Sequence, residues 1–314
     1  MQKQFKAAVV QSAAIAFDND RTMRRMRDFA AQAKGKGAAL VVFAEAMLGT
    51  YPKGSTFGAY VGGRTQGGRD EFLRYHQNAI DIPGPYVDEL ASLARDLGVY
   101  LVTGLIERSG GTLYCTVVFF DSMGNFLGKH RKLMPTGSER TVWGFGDGST
   151  LPVYQTDIGK LGAVICWENY MPLLRTAMYA KGIELYCAPT LDGRDSWPAS
   201  MQHIAIEGRC FVFSANQYAT AADYPEGYVN AASTDPAQAF SRGGSCIVDP
   251  FGNFLAGPNF EGEAVLLADI DLDDVVRGKY DLDVTGHYAR PDVFQLFVNE
   301  RAQDAVKTNM GPFA

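Results

Sequence analysis

Lys160-Leu-Gly-Ala-Val-Ile-Cys-Trp-Glu-Asn169 is an apolar, strand-like run that Trp167, Glu168 and Asn169 stop abruptly, turning the chain. A thiol at that point, Cys166, stands at a strand end, where it can face a pocket. Working outward, the pattern alternates. Residues 161–165 read as a strand, 173–181 as a helix, 184–188 as a strand, 198–209 as a helix and 211–215 as a strand. Strands alternating with helices indicate an α/β fold. The first half repeats this. Strands at 7–11 and 39–43 flank a helix at 18–34, whose Met23, Met26, Phe29, Ala30 and Ala33 recur at helical spacing as a core stripe. Strand 39–43 does not alternate and so is buried on both faces. Helices at 70–78 and 85–97, a strand at 100–105 and a hairpin over 113–132 follow.

Two turns echo one another. Phe120-Asp-Ser-Met-Gly-Asn-Phe-Leu127 and Val248-Asp-Pro-Phe-Gly-Asn-Phe-Leu255 share Asp-x-x-Gly-Asn-Phe-Leu, and both read as hairpin turns in which Gly and Asn take positive φ. The echo implies two pseudo-equivalent halves. A further strand at 264–270 follows Glu261-Gly-Glu263, and after about residue 281 the pattern fades into a polar tail. The expected organisation is a catalytic domain over 1–280 and a tail over 281–314 that docks on a neighbouring copy.

Two other strand ends carry matching oddities: Glu45 after Ala38-Ala-Leu-Val-Val-Phe-Ala44, and Lys132 within Leu127-Gly-Lys-His-Arg-Lys-Leu-Met-Pro-Thr136. Taken singly, each has a plain alternative: a buried small hydrophobe for Cys166, a paired core charge for Glu45, a solvated basic loop for Lys132. Open α/β sheets gather ligands at strand ends, and carboxylate, ammonium and thiol together can perform covalent acyl chemistry without metal or cofactor. Proton transfer from a reference Cys to a reference Glu is uphill by about 4.2 pK units, roughly 5.7 kcal/mol. Burial of Glu45 raises its proton affinity and a nearby Lys132 lowers the pKa of Cys166, closing the gap from both sides. Glu45 is then the general base, Cys166 the nucleophile and Lys132 the electrostatic stabiliser.

The segments Phe43-Ala-Glu-Ala46 with Gly49-Thr-Tyr-Pro-Lys-Gly54, His130-Arg-Lys-Leu-Met-Pro-Thr-Gly-Ser-Glu-Arg140 leading into Trp143-Gly-Phe-Gly-Asp-Gly148, and Cys166-Trp-Glu-Asn169 resemble the nitrilase branch of the carbon-nitrogen hydrolase superfamily. The resemblance runs over about residues 5–296. Ala44 departs from the proline common before the glutamate, which alters backbone stiffness rather than chemistry. The resemblance implies a four-layer α-β-β-α sandwich and hydrolysis of an organic nitrile to the carboxylic acid and ammonia, through a thioimidate and a thioester on Cys166. It assigns Glu139 as the second glutamate, which orients Lys132 near the substrate; on sequence alone a surface salt bridge is the alternative. Tyr51 and Trp167 are expected to line the substrate pocket. His130 reads as a structural hydrogen-bonding residue.

Composition bounds the rest. The net charge of −6 and pI near 5.3 argue against a nucleic-acid partner. Five scattered cysteines without a CxxC pair suggest neither a disulfide framework nor a thiolate metal site, and place the protein in the cytoplasm. No apolar run is long enough to span a membrane. An apolar content of 46% and the tail point to a homo-oligomer, a dimer or larger, which by the resemblance can extend into a spiral. An amidase or carbamoylase, a cyanide-degrading relative, a hydrolase pairing a cysteine with His203 or His130, and a non-catalytic filament protein are the competing readings.

Overall fold

The fold is given by a computed structural model describing residues 3–228 and 239–306. The chain begins with β1 (Gln4–Gln11), α1 (Asn19–Gly35) and β2 (Ala38–Val42), then α2 (Gln66–Asn78) and α3 (Pro85–Leu97). It continues with β3 (Tyr100–Ser109), β4 (Thr112–Phe120) and β5 (Phe126–Arg131). The second half holds β6 (Val153–Thr156), β7 (Gly159–Ala163), α4 (Pro172–Ala180), β8 (Leu185–Cys187), α5 (Ser196–Gly208) and β9 (Phe211–Ser214). It closes with β10 (Ser245–Val248), β11 (Phe254–Asn259), β12 (Ala264–Asp271) and α6 (Asp273–Asp281). Of the α1 stripe, Met23, Met26, Ala30 and Ala33 are buried and Phe29 is half-buried against the same core; Asp18 caps the helix by accepting from Arg21 N at 2.9 Å.

Two large sheets result, beside two short two-stranded ribbons: β12-β1-β2-β3-β4-β5, with the short strand Ile80–Asp81 on β3, and β11-β10-β9-β8-β7-β6. Each contains three parallel strands (β1-β2-β3; β7-β8-β9), an antiparallel hairpin on one side and one antiparallel strand on the other. The halves are therefore equivalent strand for strand. Side-chain alternation stacks the sheets. Leu185, Cys187, Phe211, Phe213 and Ile247 join Val9 and Leu40 in the central core, while Tyr186, Val212, Cys246 and Val248 turn to the other face and pack with Trp197, Met201 and Ile204 of α5. The architecture is the α-β-β-α sandwich.

The echoed turns are superimposable in their bonding. Asp121 Oδ1 accepts from Met123 N and Asn125 N, and Asp249 Oδ1 from Phe251 N and Asn253 N, all at 2.8–2.9 Å, while each Asn amide returns to the other Asp oxygen. One expectation fails here. Only the glycines take positive φ (Gly124 +83°, Gly252 +88°); Asn125 and Asn253 contribute a hydrogen bond instead. The place of β12 was also not foreseen. It leaves the second half and pairs antiparallel with β1, Ala7 opposite Ala268, giving the first sheet the outer antiparallel strand that β6 gives the second. Among the described residues no helix is long and apolar enough to cross a membrane.

Candidate active site

Glu45 lies just past β2, where the chain continues along β3. Phe43 N donates to Val102 O, Gly104 N to Ala44 O and Met47 N to Gly104 O. This close approach requires Gly104, since a Cβ there would stand 2.6 Å from Glu45 Cα and Ala46 N. Gln217 Nε2 donates to Glu45 O at 2.7 Å, tying the second half to this bend. Lys132 follows β5; its N–H donates to Cys115 O and its carbonyl accepts from Gly146 N, both at 2.8 Å, so the Trp143-Gly-Phe-Gly146 segment clamps it.

Cys166 opens a short turn of 3-10 helix, Cys166–Tyr170, at φ +51°. A left-handed cysteine is strained by about 1–2 kcal/mol and needs surrounding bonds to hold it. These are present. Cys166 N donates to Pro189 O at 2.9 Å, and Asn169 Nδ2 donates to the carbonyls of Val164 and Cys166 at 2.9 and 2.8 Å.

The predicted residues converge. Lys132 Nζ, fully buried, donates to Glu45 Oε1 at 2.7 Å and to Glu139 Oε2 at 2.9 Å. Glu139 is not a surface partner: its side chain is 10% exposed, and it also accepts from Thr136 N at 2.6 Å and from Tyr51 Oη at 2.5 Å. A cavity of about 490 Å³ is lined by Cys166, Trp167, Tyr51, Glu139, Lys53 and Arg194 among others. Trp167 is held by its indole N–H to Asp192 at 2.8 Å, with the Arg194 guanidinium 4.6 Å over its ring. His203 is exposed beside Glu207 and contributes nothing here.

The electrostatics agree with the sequence reading for Glu45 and oppose it for Cys166. Burial raises the Glu45 pKa, with Lys132 pulling the other way. Burial disfavours the Lys132 charge, but the negative groups around it, Glu45 foremost, hold its pKa well above the usual value. Burial pushes the Cys166 thiol up, Glu45 adds to this, and Lys132 only partly counters them. The ammonium is already committed to two carboxylates, so its field at the sulfur is largely cancelled. The arrangement therefore favours a neutral thiol at Cys166 over a preformed thiolate.

Three contributors escaped the sequence reading. Thr190 Oγ1 donates to Cys166 Sγ at 3.1 Å; Thr190 lies just past β8, so the strand-end rule that found Glu45 could have found it too. Cys115 Sγ lies 3.3 Å from Glu45 Oε1. Glu168, inside the quoted motif, accepts from Ile165 N at 2.9 Å, Leu133 N at 2.5 Å and His130 Nε2 at 3.0 Å, bridging the Lys132 loop to the Cys166 turn. His130 is the structural residue expected, with Nδ1 donating to Thr150 O at 2.5 Å.

That pair yields a stability prediction. Burial lowers the His130 pKa, but Glu168 and Thr150 O outweigh it, so the net shift is upward. A raised histidine stabilises fully below its unfolded value, about 6.5, and loses that contribution as pH climbs through the folded value. Glu168→Gln should lower unfolding free energy by about 3 kcal/mol at pH 6, the scale of breaking a buried pair. Urea titrations should show the gap from wild type narrowing at higher pH; a gap constant from pH 6 to 9 would sink the assignment.

The sequence model of the carbon-nitrogen hydrolase family matches residues 6–280. A bifunctional nitrilase/nitrile hydratase of Nicotiana tabacum is 58% identical over 305 residues, covering 96% of this chain and 88% of that one. An aliphatic nitrilase of Sinorhizobium fredii is 55% identical over 304 residues, covering 97% and 98%. Among solved structures, Saccharomyces cerevisiae Nit3, a member of branch 10 of the nitrilase superfamily, has a TM-score of 0.71 at 20% identity, covering 92% of this chain and 97% of that one. A Nesterenkonia amidase from the nitrilase superfamily has a TM-score of 0.66 at 21% identity, covering 88% and 95%. With the family model spanning most of its length and relatives identical at more than half their positions, this chain belongs to the carbon-nitrogen hydrolase family, in its nitrilase branch.

Proposed function

We propose that this protein is a nitrilase that hydrolyses an organic nitrile to the carboxylic acid and ammonia, with Cys166, Glu45, Lys132 and Glu139 as its catalytic residues. The observation that carries this reading is the buried Lys132 ammonium held between Glu45 and Glu139, with Glu139 and Cys166 sharing one cavity. Cys166 Sγ attacks the nitrile carbon while Glu45 takes the thiol proton, and the nitrogen gains that proton to give a thioimidate. Water adds to the C=N carbon, making a tetrahedral centre that bears OH, NH2 and sulfur. Glu45 takes the hydroxyl proton and passes it to the nitrogen, so that ammonia leaves and a thioester remains; a second water, giving a proton through Glu45 to the departing sulfur, frees the acid and restores the thiol. Lys132 stabilises the negative charge that develops at each addition. Tyr51 and Trp167 bound the substrate, Tyr51 also fixing Glu139. Relatives named as nitrilases at more than 50% identity make the amidase or carbamoylase reading the weaker one.

The test is isotopic. Labelled nitrile incubated with a large pool of unlabelled amide should deliver its label to the acid undiluted, because ammonia leaves while carbon is still on sulfur. Label reaching the acid only after dilution through the amide pool would mean a two-step route through free amide and would overturn the reading.

The homo-oligomer and the division into 1–280 and 281–314 belong to the same proposal; residues 307–314 lie outside the described residues. After α6 the tail is anchored to its own chain by Gln303 N to Asp147 at 2.8 Å and Lys181 to Glu300 at 2.5 Å, yet Phe294 and Phe297 are 78% and 87% exposed. Such apolar surface fits a second copy. Sedimentation should give a dimer or larger, and spiral growth is open to it; a single 34.2 kDa species at micromolar concentration would refute this. Five unpaired cysteines support a cytosolic location.

A further inference from the structure

A second thiol stands on the base. Cys115 of β4 is 1% exposed, and its Sγ lies 3.3 Å from Glu45 Oε1, the oxygen that also takes the Lys132 ammonium at 2.7 Å. An ionised carboxylate only accepts, so the S–H donates. Both donors fall on Oε1. Glu45 Oε2, equally buried, has no hydrogen-bond partner among the described residues. One oxygen is thus pinned and the other is left with its lone pairs free for a moving proton.

A donor on Oε1 is strongest when Glu45 is ionised and weakens once it carries a proton. The bond therefore makes Glu45 a slightly weaker base toward Cys166 but a better acid afterwards, when the proton must be delivered. Delivery is where the products part. At the tetrahedral centre, Glu45 Oε2 takes the hydroxyl proton and passes it to the nitrogen, so that the C–N bond breaks with its electron pair leaving on ammonia, a thioester remains and Glu45 is ionised again. If the nitrogen stays unprotonated, the C–S bond breaks instead, sulfur takes the pair and then the hydroxyl proton, and free amide departs. Resting on the nitrilase reading, we propose that Cys115 is a positioning residue that biases this partition toward acid, by pinning Glu45 Oε1 and keeping the protonated carboxyl acidic.

The groups facing Glu45 are Lys132, Glu139, Cys115, Cys166, Tyr51 and Lys53, and of these Cys115 and Lys132 bond it directly. Replacing Cys115 leaves the Lys132 and Glu139 contacts in place. The experiment compares Cys115→Ala, Cys115→Val and Cys115→Ser with wild type on one nitrile, quantifying amide, acid, kcat and KM across pH. Removal of the donor should raise the amide-to-acid ratio by about threefold to tenfold, the effect of one weak charge-assisted bond. The acid limb of kcat/KM should move up by about half a pH unit or more, because the Glu45 pKa rises. KM should change by less than about twofold, and Cys115→Ser, which keeps a donor, should recover part of both effects. Using Ala and Val together guards against a single misfolded variant, since they differ in packing but share the missing donor. A wild type that hydrolyses nitrile, with folded Ala or Val variants showing an unchanged ratio and limb, overturns the role of Cys115 alone. A wild type that releases no ammonia from any nitrile overturns the nitrilase reading and this proposal with it.

Discussion

Cys166→Ala should fold like the native protein and release no ammonia from a nitrile, a loss of at least about ten-thousandfold, the scale of deleting a covalent nucleophile. The fold survives because the change removes one small group from a side chain that is 6% exposed and keeps the backbone bonds to Pro189 and Asn169 that hold φ at +51°. Among the described residues the side-chain hydrogen-bond partner of the sulfur is Thr190, whose hydroxyl loses only that acceptor in the variant. In the wild type, rapid quench and peptide mapping should find the acyl adduct on Cys166 and on none of Cys115, Cys187, Cys210 or Cys246. The reason is access rather than acidity. All five thiols are buried, burial pushes each of them up, and of the five Cys166 alone lines the described cavity. Residual turnover near the native rate, or an adduct on another cysteine, would remove the covalent mechanism.

Lys132→Met should lose both activity and stability. Without the ammonium, the charge developing at each tetrahedral centre has no cation beside it, and the rate should fall by at least about a hundredfold, the cost of one lost oxyanion donor. Glu45 and Glu139 would also face each other with no counter-charge, and removing one member of a buried ion pair costs about 3–5 kcal/mol. The variant can escape part of that by keeping Glu45 protonated. With its folded pKa raised further above the unfolded value, Glu45 contributes stability at acid pH that is lost as pH rises through the folded value. Chemical denaturation should therefore find Lys132→Met closest to wild type near pH 5 and progressively weaker toward pH 8. Lys132→Arg preserves the charge but replaces a compact ammonium with a wide planar fork, and activity should fall on the same hundredfold scale. A mild kinetic effect in both variants would make Lys132 a structural lysine.

Much of this site was legible in the chain because its informative residues are local. A hydrophobic run that stops at a charged or thiol side chain marks a strand end whatever the rest of the protein does, and Glu45 and Cys166 are found that way, while Lys132 closes a basic strand end within a hairpin. The Asp-x-x-Gly-Asn-Phe-Leu echo is local too, since a hairpin turn is fixed by its own hydrogen bonds, and it correctly disclosed two equivalent halves. The resemblance supplied Glu139, and Trp167 was expected at the pocket from its place beside Cys166; no periodicity marks these two or Tyr51.

Contacts set by register, and charges set by burial, were decided only by the tertiary structure. Cys115 reaches Glu45 because β4 pairs with β3, Ile106 opposite Cys115, and β3 lies alongside the Glu45 bend, a placement no segment specifies alone. The course of β12 back to β1 depends likewise on an edge that exists only once the first sheet is built. The sign of the Cys166 shift went the other way from expectation for the same reason. One lysine near one cysteine lowers its pKa, but this lysine is shared between two carboxylates in a dry interior, and desolvation there outweighs what remains of its field. Sequence determined which groups meet at the strand ends; three-dimensional packing decided which proton each of them holds.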